Sequence, residues 1–120
     1  MHQTAFVLVP SLISVVFASA PSLASPFVYT TGGLLNTDLK TCMADVKSAA
    51  TEAGFTEGQE EVLDADKKDG TFYASKPDAP VSLAARCFPT AGVYSLAVSG
   101  INLDASWKDF GKFVDALFKK

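Results

Sequence analysis

Few side chains in this sequence are able to do chemistry. The histidine content limits the possible catalytic and metal chemistry most. The chain contains one histidine, His2, close to its amino terminus. A domain that begins after His2 has no imidazole to act as a general base or as a metal ligand. Ser-His-Asp and Cys-His catalysis and His-ligated metal sites are then excluded. We predict no catalytic residue, no metal ligand and no cofactor.

The two cysteines, Cys42 and Cys87, are the next candidates. Redox-active dithiols usually lie two residues apart, whereas these enclose a loop of about 45 residues. Each falls on an apolar stripe of its own predicted element, one on a helix and one on a strand. In an oxidising compartment such a pair closes into a structural disulfide. We predict a Cys42–Cys87 bond that stabilises the domain by on the order of 3–4 kcal/mol.

Carboxylates gather between positions 57 and 66, where acid–base chemistry or a cation site would be conceivable. The segment 64–70 resembles a calcium loop, but Lys68 stands where the third ligand belongs and Asp69 replaces the turn glycine. We therefore interpret it as a solvated hairpin loop. We interpret Glu57, Glu60 and the neighbouring acids as the solvated surface of an edge strand, which discourages pairing between sheets.

Net charge limits the class of partner. The chain carries −3 overall, and its ten lysines and arginines are scattered rather than clustered. Because phosphate recognition needs grouped cations, we predict no nucleic-acid partner.

The amino-terminal segment predicts export. The first 39 residues contain no lysine or arginine, and residues 5–18 are almost wholly apolar. This run has the length of a signal-peptide core and is shorter than the roughly 20 residues that span a membrane. Small residues then allow cleavage after Ala20 or Ala24, and we favour the second because the first would leave Pro21 at the new terminus. The expected product is a secreted or periplasmic domain over residues 25–120, without a membrane span.

Hydrophobic periodicity predicts the elements of that domain. Alternation indicates strands at 27–35, 55–63, 71–75, 81–88 and 93–99. Apolar residues at helical spacing indicate a helix from Leu39 to Ala53 and a second beginning at Asn102 or Asp104. The order β-α-β-β-β-β-α, with short links between the later strands, predicts an α+β two-layer sandwich. Its sheet is an antiparallel meander with both helices on one face.

The final helix carries a stripe of large apolar residues. Leu103, Trp107, Phe110 and neighbouring residues share one side, with Phe113 at the margin and Lys108 and Asp109 opposite. The aromatic residues could form a ligand box, but at this spacing we interpret them as core.

The far face of the predicted sheet is a candidate interaction surface. Small side chains there form a flat surface that another protein or a small ligand could approach closely, and the chain's one arginine lies among them. The candidate residues are Tyr73, Ser82, Arg86, Ser95 and Ser99. The alternative is an ordinary solvated sheet face.

Cys87 and Gly92, the segment 94–102 and the helical segment 110–115 together resemble small secreted bacterial domains of unknown function. The resemblance includes an early strand and a first helix bearing one cysteine. It implies this fold, export and one helix-to-strand disulfide. It assigns no catalytic residue to this chain.

These observations predict a secreted or periplasmic, non-enzymatic binding or interaction module. Two alternatives stay open. One is a small enzyme acting through carboxylates, serine, tyrosine or lysine. The other is an inhibitor presenting the loop 76–80 or 89–92. The ligand, the partner and the oligomeric state are not predicted.

Overall fold

The computed structural model describes residues 26–119. The predicted signal peptide, residues 1–24, lies outside them. The predicted element order and α+β class are confirmed. The elements are β1 (Phe27–Leu34), α1 (Leu39–Glu52), β2 (Glu57–Leu63), β3 (Gly70–Ser75), β4 (Val81–Phe88), β5 (Val93–Gly100) and α2 (Leu103–Phe118).

The five strands form one antiparallel sheet in the order β1-β5-β4-β3-β2. The chain starts at one edge with β1 and uses α1 to reach the opposite edge at β2. It then returns strand by strand until β5 pairs with β1. The strands β2 to β5 form a meander, and β1 pairs with β5. Among residues 26–119, β1 and β2 are therefore the two edge strands.

Both helices begin at side-chain caps that the sequence contains. The carboxylate of Asp38 accepts a hydrogen bond from the Thr41 N–H at 2.8 Å, and the amide oxygen of Asn102 accepts one from the Ala105 N–H at 2.9 Å. These bonds satisfy donors that a helix amino terminus would otherwise leave free. The helix α1 ends before Gly54, whose φ of 93° favours glycine.

The core lies between the helices and one face of the sheet. Alternate residues of β4 are almost fully buried, as the predicted alternation requires. Cys87 of β4 directly opposes Tyr94 of β5, and α1 contacts Cys87 while α2 contacts Tyr94. The core side chains include Met43, Val46 and Ala50 of α1, Phe72, Val81, Leu83, Ala85, Leu96 and Val98 of the sheet, and Phe113 of α2.

The side of α2 that faces the core differs from the predicted one. Phe113, placed at the margin of the stripe, is 0 % exposed, whereas Trp107 is 58 % exposed. Phe113 packs edge-on against Phe55, with ring centroids 6.3 Å apart. Asp109, predicted on the polar side, is buried because Lys76 lies 3.2 Å from its carboxylate and compensates its charge.

The boundary of β2 also differs. The strand begins at Glu57 rather than at Phe55, whose N–H donates to the Ala50 carbonyl at the end of α1. Gly58 has a φ of 57°, and the register with β3 shifts between Glu57 and Glu60. Phe55 is therefore a core residue of the connection, fully buried against α2.

Candidate functional site

The sheet face directed away from the helices is exposed or half-buried, and we call it the open face. Its residues follow from the register, because directly opposed residues of antiparallel strands lie on the same side. From β1 across to β2 it comprises Val28, Thr30, Gly32 and Leu34; Val93, Ser95, Ala97 and Ser99; Ser82, Ala84, Arg86 and Phe88; Thr71, Tyr73 and Ser75; and Glu60 and Val62.

All five candidate residues of the interaction surface lie on this open face. Ser82 opposes Ser99 of the next strand, Arg86 opposes Ser95, and Tyr73 opposes Ala84. The structure thus brings together side chains from three adjacent strands.

The open face has a small-residue centre and an apolar margin. Ala84 and Ala97 oppose each other in the middle of the sheet. Towards β1 the exposed fractions of Val28 and Leu34 are 59 % and 88 %, and towards β2 that of Tyr73 is 44 %. Exposed apolar side chains of this size, on both sides of a flat centre, can be covered by another protein surface.

Arg86 is held in place from three directions. Its Nη2 lies 2.7 Å from Oδ2 of Asp64, and its Nη1 donates to Oδ1 of Asp64 and to Oγ1 of Thr71, both at 3.2 Å. The guanidinium carbon lies 4.8 Å from the centroid of the Phe88 ring. These bonds lower the pKa of Asp64 and raise that of Arg86, mainly through the hydrogen bonds between them. The arginine is a preoriented group at one end of the open face.

Sequence reasoning did not find this pair, because it placed Asp64 in a solvated loop. The sequence holds one usable signal: Asp64 directly follows β2, and Arg86 lies on the same face two strands away. The pairing depends on the register of three strands, which only the folded sheet defines.

The carboxylates of the loop 64–70 point to separate partners. Asp64 binds Arg86, Asp66 accepts from the Lys68 N–H at 3.1 Å, and the buried Asp69 accepts from Thr90 Oγ1 at 2.7 Å. Asp69 also accepts from the Thr90 N–H and so ties this loop to the β4–β5 turn. Among residues 26–119, no three carboxylate or cysteine side chains converge on one point.

The predicted disulfide is present. Cys42 and Cys87 are bonded, with Cα atoms 6.2 Å apart, and both are buried. The bond joins the first turn of α1 to the end of β4. Buried in this way, it is a structural bond rather than an accessible redox centre.

A cleft of about 200 Å³ opens between the two helices and the end of β1. Its lining is mostly apolar, with Leu35, Val46 and Leu117 on its walls and Asn36 and Asp45 among its polar residues. Such a cleft suits a small apolar group.

An aromatic cluster at the other end of α2 was not predicted. Tyr29 of β1 lies 5.1 Å from Trp107 and 6.0 Å from Phe110, measured between ring centroids. The sequence placed Trp107 and Phe110 in the core. Phe110 is partly buried and packs against the core, whereas Trp107 lies over the edge strand and is largely exposed.

Comparison of the chain with protein-family models, curated protein sequences and solved structures found no match. Within residues 26–119, no helix combines the length and apolar character needed to cross a membrane.

Proposed function

We propose that this protein is a non-enzymatic interaction module that binds a partner protein through the open face. The observation that carries the proposal is the preoriented Arg86 at one end of a flat, uncharged centre. Fixing the guanidinium beforehand lowers the entropy lost when a partner binds. Small residues such as Ala84 and Ala97 let the partner's side chains reach the sheet closely.

The apolar margin supports the same proposal. Large exposed apolar side chains on a small domain are typical of a surface that becomes covered. Leu34 and Tyr73 lie on opposite sides of the small-residue centre, so a partner spanning the sheet would cover both. Arginine and tyrosine are also the residue types that contribute most to protein–protein binding energy.

The two alternatives have less support. Catalysis by carboxylate, serine, tyrosine or lysine needs several such groups directed at one point of a pocket. The walls of the cleft are mostly apolar, and Asp45 is the one carboxylate among its lining residues. The loops 76–80 and 89–92 are short turns between strands, and one of them is tied down by Asp69.

We further infer that the domain works outside the cytoplasm. The buried disulfide supports this inference, because such bonds persist in oxidising compartments. Intact-mass measurement of the protein recovered from its own cells tests it. We expect the mass of residues 25–120, less two hydrogens for the disulfide. A mass that includes residues 1–24 would contradict the inference.

Site-specific photocrosslinking in the source cells tests the binding surface. A photoreactive amino acid replaces Ala97 at the centre of the open face, and the matched control replaces Ser48 on the exposed side of α1. We expect a discrete adduct with another protein from position 97 and none from position 48. Equal yields at both positions, or no adduct at either, would contradict the proposal.

Charge reversal at Arg86 provides an independent test. Arg86→Glu is expected to weaken association, but it also places a second carboxylate beside Asp64. The swapped variant Asp64→Arg/Arg86→Glu retains an ion pair and separates the two effects. If the yield of the position-97 adduct is the same for the swapped variant and the wild type, the positive charge at position 86 is not used in binding.

A further inference from the structure

The two edges of the sheet differ in how they are protected. The outer edge strand β2 carries Glu57, Glu60 and Glu61 and is interrupted by a shift in register. Charges and bulges of this kind prevent an edge from pairing with another strand. The strand β1 has eight residues with no charge and no proline, in unbroken register with β5. It has none of these protective features.

The free hydrogen-bonding groups of β1 can be assigned from its pairing with β5. Leu35, which follows β1 in the same register, donates its N–H to the Gly92 carbonyl at 2.8 Å. In an antiparallel ladder alternate residues exchange such bonds. The backbone N–H and C=O groups of the odd-numbered residues of β1 therefore point towards β5. The N–H and C=O groups of the even-numbered residues therefore point away from the sheet. These residues are Val28, Thr30, Gly32 and Leu34.

Exposed apolar side chains flank this edge on both faces of the sheet. Val28 and Leu34 lie on the open face, 59 % and 88 % exposed. On the helix side, Tyr29 lies against Trp107, which is itself 58 % exposed. A strand added beside β1 would cover all four side chains.

We propose that the occupant is a second copy of this chain, whose β1 pairs antiparallel with the first across a twofold axis at Thr31. A twofold pairing places the segment 27–34 beside an identical segment, so a net charge on the strand would be repelled by the same net charge on its copy. The segment 27–34 carries none. A continuous sheet also requires opposed residues to share a face. Even-numbered residues must therefore oppose even-numbered ones, and odd-numbered residues odd-numbered ones.

The register centred on Thr31 makes the best use of the strand. It places Val28 opposite Leu34 of the second copy and Thr30 opposite Gly32, so that the free groups form about eight hydrogen bonds. Tyr29 opposes Gly33, which has no side chain and lies so close to Tyr94 that a Cβ there would be 2.8 Å from the tyrosine hydroxyl. Tyr29 of one copy would then lie beside Tyr94 of the other. A register centred on Thr30 would place Leu34 opposite Pro26, which precedes the strand.

The pairing joins the two sheets into one of ten strands, with both open faces on the same side. It goes beyond the proposed function: both surfaces include Leu34, but the dimer is formed by the outward backbone groups of β1, whereas the proposed partner site is formed by Arg86 and the small residues at the centre of the open face. Changes at Thr30 or Thr31 test the edge, whereas Ala97 tests the centre.

Cysteine crosslinking tests the register. Thr31→Cys places two thiols on the twofold axis in a non-hydrogen-bonded pair, where Cα atoms lie about 4.5 Å apart, within the range that a disulfide bridges. We expect a covalent dimer of the Thr31→Cys protein under mild oxidation, seen on a non-reducing gel and by intact mass. The controls Thr30→Cys and Lys47→Cys are expected to stay uncrosslinked. Crosslinking through Thr30→Cys alone, or to a different protein, would overturn the proposal.

Sedimentation velocity tests the association without introducing a covalent crosslink. Thr30→Pro removes an outward N–H while leaving the β1–β5 ladder intact, so it is expected to raise the dimer dissociation constant about tenfold or more. Val62→Lys, on the opposite edge strand, is expected to leave dimerisation unchanged. Circular dichroism checks that both variants fold. A wild-type protein that stays monomeric up to about 1 mM would overturn the proposal.

Discussion

At the scale of single residues, charge is placed where a partner compensates it. Arg86 binds Asp64 on the open face, and Lys76 reaches the buried Asp109 of α2. Asp69 is buried but accepts two hydrogen bonds from Thr90. Each of these groups would cost free energy if its partner were lost, since a buried charge without a partner is strongly disfavoured.

The Asp64–Arg86 pair predicts part of the acid sensitivity. The pKa of Asp64 is lower in the folded protein than its ordinary value of 3.8, because Arg86 hydrogen-bonds the carboxylate. The pair's stabilisation is therefore complete above about pH 4 and is lost as the pH falls through the folded-state pKa. We expect Asp64→Asn to be less stable than the wild type at pH 7 and to approach it at pH 2, measured by urea unfolding.

A matched variant tests whether Arg86 causes the lowered pKa of Asp64. Arg86→Met removes the same hydrogen bonds, so an NMR titration should show the Asp64 pKa returning towards its ordinary value. An Asp64 pKa that stays low in Arg86→Met would show that another group causes the shift.

Ser106 is the exception to this pattern of compensation. Its hydroxyl is buried and has no hydrogen-bond partner in the part of the chain that the structure describes, and it lies so close to Gly100 that a side chain there would collide with it. Ser106→Ala should therefore raise the free energy of unfolding by about 1 kcal/mol, because it removes an unsatisfied polar group. Urea unfolding measures the change. Ser48→Ala, at an exposed position of α1, controls for the helix propensity of alanine, and an equal gain there would contradict the explanation.

At the scale of elements, the disulfide decides how α1 is held. This helix connects the two edges of the sheet, and its bond to β4 fixes it over the central strand. The sheet neighbours of β4 are β3 and β5, so the bond attaches the helix to the most enclosed strand.

Removing the bond should therefore be costly. For a separation of 45 residues, the chain-entropy model gives a loss of about 3–4 kcal/mol in the free energy of unfolding. We expect this loss in the Cys42→Ala/Cys87→Ala variant, measured by urea unfolding against the oxidised wild type. Adding a reductant should destabilise the wild type and leave the variant unchanged. A loss below about 1 kcal/mol would show that the bond adds little to this core.

At the scale of the whole molecule, stability is unevenly distributed across the sheet. The strand β4 is paired along its full length with β5 and over residues 82–87 with β3, and Leu83 and Ala85 are buried beneath the helices. The edge strand β2 pairs on one side only, and all its residues except Gln59 are exposed. Opening of β2 therefore exposes little apolar surface.

Hydrogen exchange should report this gradient. We expect the hydrogen-bonded amides of β4 to exchange only through global unfolding, and those of β2 to exchange through local opening at lower free energy. Native-state exchange at increasing urea distinguishes the two, because only global unfolding depends strongly on denaturant. The same urea dependence for Leu83 and Val62, whose amides both bond to β3, would show that the sheet opens as one unit.

The amino-acid sequence by itself determined the order of the elements, the α+β class and the disulfide. Alternation in 81–88 indicated which residues of β4 share a face, and helical spacing placed the start of the first helix at Leu39 and that of the second at Asn102 or Asp104. These features depend on residues close together in the chain, whose geometry follows from the strand and helix repeats alone.

Only the tertiary structure decided which part of the α2 stripe lies deepest and which strand forms the unprotected edge. Phe113 is buried and Trp107 exposed because Phe55, far away in sequence, occupies the space beneath Phe113. The Asp64–Arg86 pair and the place of β1 beside β5 depend on strand register. A repeat within one element specifies which side chains share a face, but contact between distant elements selects which of them meet.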